Sequence, residues 1–174
     1  VLLSCSPKYI VESNRNEVIK IESQADSTII NIITPYEQGI KSHMAEILCF
    51  TKYDLKKGKP QGTLGNFVSD LCLNYAQADI CIMNNGGLRK NIDQGHITRE
   101  DIYKLMPFEN ELVIIDLNKE EYMELLNYIA KRGGEPFAGM RLKINQKGEV
   151  LDNSWPVQFD KGEKMQVITS DYLA

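Results

Sequence analysis

The apolar run Ile80-Cys81-Ile82-Met83, followed at once by Asn84-Asn85-Gly86-Gly87-Leu88-Arg89, constrains this chain more than any other segment. Consecutive apolar residues bounded by a polar, glycine-rich stretch read as a buried strand that runs into a tight loop. The paired glycines remove side chains where a backbone must bend or let a ligand come close. Arg89 then offers a planar fork of donors suited to a carboxylate, a phosphate or a diol. On these residues alone the segment is either a plain turn or a ligand loop.

Upstream, Lys56-Lys57-Gly58-Lys59-Pro60-Gln61-Gly62-Thr63 leads into a segment in which Leu64, Phe67, Val68, Leu71 and Tyr75 recur at helical spacing. This predicts a core helix with Thr63 as its N-cap. Free N–H groups at a helix start favour an anion, and Lys57 and Lys59 are candidate anion contacts there. The other reading of the same residues is a solvated hairpin tip. A Walker loop is excluded, because the Gly-Lys-Ser/Thr ending is absent.

Elsewhere, strands are expected at Val18 to Ile21 and Ile29 to Ile33, joined by a turn through Ser23 to Asp26. Thr34-Pro35-Tyr36-Glu37 reads as a capping box with proline at the first helical position, opening a helix that carries Ile40, Met44 and Ile47 on one face. Thr98 through Asp101 marks another helix start, with Ile102 and Leu105 inward and Pro107 as its stop. A strand follows from Glu111 to Leu117. Asn118 with Glu121 then caps a helix with Tyr122, Leu125, Leu126 and Ile129 on its apolar face, ended by Gly133. Strands at Met140 to Ile144 and Met165 to Thr169 follow, the first closing in the turn Asn145 to Gly148, with Trp155-Pro156 in a loop or on an edge. Helices mixed with paired strands predict an α+β fold, with layered helices packed on mixed sheets.

A chain of 174 residues with 43% apolar content is long enough for one domain with a real core. The expected organisation is a tether at residues 1–7 and a single domain over 8–174. Net charge is −4 with no basic stripe, which argues against a nucleic acid duplex as partner. Cys5, Cys49, Cys72 and Cys81 lack the paired spacing of a zinc site, and their pairing as disulfides is not fixed by sequence. His43 reads as a helix-surface residue and His96 as a turn residue, neither beside a carboxylate in a ligand-like motif. No apolar run approaches the roughly 20 residues of a bilayer span. Val1-Leu2-Leu3-Ser4-Cys5 looks like the tail of a bacterial lipoprotein signal, making Cys5 a candidate lipidation site.

Taken together, Gly62 through Asp70, Asn84-Asn85-Gly86-Gly87-Leu88-Arg89, Ile97 through Met106 and Pro107-Phe108 resemble, in order and spacing, the C-terminal domain of the 5'-nucleotidase and UDP-sugar hydrolase family, over about Ile19 to Ala174. That resemblance implies a division of labour. An N-terminal metallophosphoesterase holds two metals, and the C-terminal domain binds the nucleoside part of the substrate. Asn84 and Arg89, with Gly86 and Gly87, match the family's Asn-x-Gly-Gly-x-Arg loop, which contacts base and ribose. Phe108 matches one aromatic of the clamp around the base, and Tyr172 falls where the family places the opposing ring. Aromatic faces stack on any base for ~1–3 kcal/mol each. Without the resemblance, Phe108 reads rather as a core plug and Tyr172 as a surface ring.

Two departures matter. The family carries an arginine shortly before the helix at Leu64 where this chain has only lysines, and the family continues past the position of Ala174 into a loop whose aspartate binds ribose hydroxyls. The expected function is nucleoside or nucleotide recognition for phosphate-ester hydrolysis, with no catalytic residue, metal or cofactor in this chain. Divalent metals are expected only in a partner metallophosphoesterase. An exported bacterial protein, periplasmic or at the cell surface and lipid-anchored through Cys5, is the expected setting. Two alternatives stand beside it: a piece of a complete two-domain 5'-nucleotidase, and a non-catalytic scaffold that keeps the fold.

Overall fold

The computed structural model describes residues 26–154 and 156–174 and divides after Gly39 into two units. The expected strand at Val18 to Ile21, Cys5 and Trp155 lie outside the described residues.

The expected strand Ile29 to Ile33 is instead part of a helix, α1 (Ser27–Met44). Ile29, Ile32, Ile33 and Tyr36 follow i, i+3, i+4, i+7 spacing, a helical period, although β-branched isoleucines also favour strands. Asp26 Oδ1 accepts the Thr28 N–H at 2.7 Å, and the Asp26 carbonyl accepts that of Ile30 at 3.0 Å, so the helix starts at Ser27, well before Thr34. Pro35 therefore sits inside the helix, and the Thr34 hydroxyl turns back to donate to the Ile30 carbonyl at 2.8 Å. The helix buries none of its residues.

Ile47, expected on that helix, begins β1 (Ile47–Thr51), which pairs antiparallel with β3 (Gly95–Thr98). His96 is thus a strand residue and not a turn residue, its ring 5.6 Å edge-on from Phe50. Between them in sequence come α2 (Thr63–Ala76) and β2 (Ile80–Ile82). The N-cap of α2 is Gly62, not Thr63, because the Thr63 hydroxyl accepts the Lys56 N–H at 2.8 Å and closes the preceding loop. Leu64 and Val68 are buried, whereas Phe67, Leu71 and Tyr75 point to solvent, Tyr75 at 83% exposure. The apolar arc of α2 is wider than the face it buries.

After β3 the chain forms α3 (Arg99–Leu105), β4 (Leu112–Leu117), α4 (Lys119–Lys131), β5 (Phe137–Ala138), β6 (Leu142–Ile144), β7 (Val150–Asn153), a short 3-10 turn at Phe159–Lys161 and β8 (Met165–Ser170). Both α3 and α4 open at the expected starts, and each start is a capping box, Thr98 with Asp101 and Asn118 with Glu121. Leu105 turns inward as expected, but Ile102 is left 39% exposed.

The main sheet is mixed, ordered β4-β8-β2-β5, with β2 and β8 parallel and the outer pairs antiparallel. Strand alternation divides the core in two. Cys81 and Ile168 face Leu64 and Val68 of α2, while Ile80, Ile82, Met165 and Val167 face Tyr122, Leu126 and Ile129 of α4. A helix covers each face, giving the layered α+β fold that the pattern predicts. Burial pushes the Tyr122 hydroxyl up to about 12, and it donates to the Ser154 carbonyl at 3.1 Å, fastening α4 to the segment after β7.

The α3 capping box carries a pH-dependent share of stability. Hydrogen bonding from the Thr98 backbone, then its hydroxyl, holds the Asp101 carboxyl below its ordinary value. A carboxylate depressed in the folded state stabilises above its unfolded pKa, about 3.9, and that contribution is lost as pH falls through the folded value. Asp101→Asn is therefore expected to melt lower than the parent at pH 7, with the gap closing below about pH 4. Thermal melts across that range check it; a gap constant with pH would refute the linkage.

Candidate ligand-binding site

The parallel neighbours β2 and β8 release their chains at the same end of the sheet, where diverging connections leave a crevice. A cavity of about 420 Å³ opens there. Met83, Asn84 and Gly86 through Arg89 line it from the loop after β2. Met106, Phe108 and Asn110 come from the stretch between α3 and β4, Arg132 from the end of α4, and Ser170 and Tyr172 from the end of β8.

Each wall has a local cause. The loop after β2 is closed by the Gly87 N–H donating to the Asn84 carbonyl at 3.1 Å. A Cβ at Gly87 would lie 2.5 Å from Asn84 Oδ1, so glycine here leaves room for the amide that faces the cavity. Leu88 anchors the loop in the core at 1% exposure, and the Arg89 N–H donates to the Leu105 carbonyl at 2.8 Å. Arg89 is itself exposed, its guanidinium carbon 5.1 Å from the centre of the Phe108 ring. That cation-π contact keeps both groups at the cavity mouth.

Phe108 is 43% and Tyr172 75% exposed, so neither ring plugs the core. Tyr172 is positioned by Asp171, whose Oδ1 accepts the N–H groups of Tyr172 at 2.9 Å and Glu111 at 3.2 Å. Two exposed aromatic rings lining one cavity are a ready surface for a flat ligand.

The structure thus gathers Asn84, Gly86, Gly87, Arg89, Phe108 and Tyr172 around one cavity, but Lys57 and Lys59 are not in its wall. Lys59 Nζ donates to the Arg132 carbonyl at 2.6 Å and lies 3.7 Å from Glu135 Oε1. The Lys57 N–H is held by Asn91 Oδ1 at 2.9 Å. Gly62 at the head of α2 is likewise absent from the lining.

Sequence reasoning passed over Glu135, whose side chain is 1% exposed. A buried carboxylate must be met by donors. One oxygen accepts the Asn85 N–H at 2.6 Å, and the other accepts Arg132 Nε. The glycines before it permit this approach: Gly134 has φ +106°, and a Cβ there would lie 2.5 Å from the Pro60 carbonyl oxygen. In the sequence, Gly133 reads only as a helix stop. The charged residues on both sides of the glycine pair in Arg132-Gly133-Gly134-Glu135 were the signal to notice. Arg132, Asn110 and Ser170 are further wall residues that no motif singled out.

Among the described residues no group of three or more His, Cys, Asp or Glu is placed to hold a metal ion.

The family model of the 5'-nucleotidase C-terminal domain matches residues 42–173. The chain belongs to that family. It is 27% identical over 133 residues to a 5'-nucleotidase of Vibrio cholerae, covering 71% of this chain and 24% of that protein. A trifunctional nucleotide phosphoesterase of Bacillus subtilis is 32% identical over 120 residues, 62% of this chain and 8% of its own length. The fold superposes on a 5'-nucleotidase precursor from Thermus thermophilus with a TM-score of 0.67 at 24% identity, over 83% of this chain and 33% of that one. A sulfate thiohydrolase of Thermus thermophilus matches as well, at a TM-score of 0.66 and 15% identity over 82% of this chain and 30% of that one. The chain spans about a quarter of the length of the first 5'-nucleotidases it matches. The fold thus serves proteins of different named activity, and the ligand must be argued from the cavity.

Proposed function

We propose that this chain binds the nucleoside part of a nucleotide for phosphate-ester hydrolysis, the bond being cleaved by a metallophosphoesterase in the same polypeptide or in a separate subunit. One observation carries the reading: Asn84, Arg89, Phe108 and Tyr172, drawn from three separate loops, line a single cavity. An amide can pair with a base edge, a guanidinium with ribose or phosphate oxygens, and two rings with the faces of a base. Substrate recognition and no cleavage by the chain alone is the corresponding biochemical role. Export, with lipid attachment at Cys5, belongs to the same proposal and is checked by mass spectrometry of the membrane fraction.

Arg89→Ala is the direct test. A charge-assisted hydrogen bond contributes about 1.5–3 kcal/mol, so affinity for AMP should fall roughly ten- to a hundredfold. Melting should barely change, because the side chain is exposed and only the Arg89 backbone takes part in the loop. Titration calorimetry with AMP, adenosine and ribose reads this out. Equal affinity of parent and variant for all three would end the ligand role of the loop.

A further inference from the structure

Arg132 is fixed more firmly than its place at a helix end requires. Its Nε donates to the buried carboxylate of Glu135, its guanidinium carbon lies 5.5 Å from the centre of the Tyr128 ring, and its carbonyl accepts Lys59 Nζ. The side chain is nevertheless 46% exposed and lines the same cavity as Arg89. Among the described residues no protein acceptor meets its two terminal nitrogens. A guanidinium clamped on one edge and one face presents its remaining edge as a preset pair of donors.

We propose that Arg132 is a second ligand-contacting guanidinium of this cavity, and that Glu135 is the positioning residue that aims it. Glu135 also accepts the Asn85 N–H, so one buried carboxylate sets both Arg132 and the loop that carries Asn84 and Arg89. Lys59 and Arg132 share that single carboxylate, which leaves the cluster with an excess positive charge at the cavity. The matching ligand chemistry is two adjacent acceptor atoms. Two groups of a nucleotide supply it: phosphate oxygens, and the O6/N7 edge of a 6-oxopurine. This inference rests on the nucleotide reading above and extends it to a specificity that adenosine alone cannot satisfy.

The test is calorimetric titration of the parent, Arg132→Gln, Arg132→Lys and Glu135→Gln with adenosine, AMP and guanosine. Arg132→Gln should leave adenosine within about twofold while weakening AMP or guanosine about tenfold or more; AMP alone falling assigns the contact to phosphate, guanosine alone to the oxopurine edge. Arg132→Lys should recover little, since lysine keeps the charge and loses the fork. Glu135→Gln should weaken that same ligand most, on top of a smaller loss shared by all three because it also loosens the loop that carries Asn84 and Arg89, and the Arg132 Nε–H resonance of the parent should shift with the ligand that Arg132→Gln weakens. Unchanged AMP and guanosine affinity in Arg132→Gln overturns the proposal, as does a Glu135→Gln loss that is equal for all three ligands. If Arg89→Ala abolishes binding and Arg132→Gln does not alter it, this inference alone falls. A folded parent that binds none of the three removes the nucleotide reading and this one with it.

Discussion

Replacing Phe108 and Tyr172 together by alanine is expected to remove measurable nucleoside binding while leaving the fold intact. Each ring stacked on a base contributes ~1–3 kcal/mol, so each single change should weaken binding by roughly five- to a hundred-and-fiftyfold. The two effects should not add, because a base held on one face loses its ordered position once the second ring is gone. Phe108→Tyr should be tolerated, since it keeps the aromatic face. Both side chains are too exposed for truncation to open a core cavity, so the melting temperature of the double variant should stay near that of the parent. A scaffold that shares the fold without the binding role would show unchanged affinities throughout. Titration with adenosine, alongside melting curves of the same preparations, separates the two.

The second large effect concerns stability. Leu126 is fully buried between α4 and the main sheet, beside Ile80, Ile129 and Val167. Leu126→Ala should cost about 2–5 kcal/mol, the sum of lost transfer energy and the cavity left behind. For a chain of this size that lowers the melting temperature on the order of 10 °C. Leu71→Ala on α2 makes the contrast, because Leu71 is 58% exposed and its truncation should change stability by no more than about 0.5 kcal/mol. Denaturant titration of the pair reads both, and a Leu71→Ala cost matching that of Leu126→Ala would mean that the outer face of α2 is covered.

These variants also mark what could be read locally. The capping boxes at Thr98 and Asn118, the strand before Asn84 and the glycine stop after α4 all depend on residues within a few positions of one another. Short-range spacing carries that information fully. The segment from Ile29 folds as a helix against its strand expectation, because its i, i+3, i+4, i+7 spacing and the Asp26 cap outweigh the strand preference of β-branched residues.

By itself the sequence determined the α+β class, the elements with strong caps, and the loop from Asn84 to Arg89 with Phe108 and Tyr172 as its partners by resemblance. Only the tertiary structure decided which face of α2 is buried, because apolar spacing marks an arc without saying how much of it a sheet will cover. It also decided that Lys59 turns to Arg132 and Glu135 and away from the cavity, since a buried carboxylate draws in the nearest cations whatever their distance in sequence. Glu135 lies 50 residues from Asn85 and 76 from Lys59, and no local pattern encodes a meeting across such separations. The packing of α4 against the sheet brings them together beside the cavity wall that Arg132 joins.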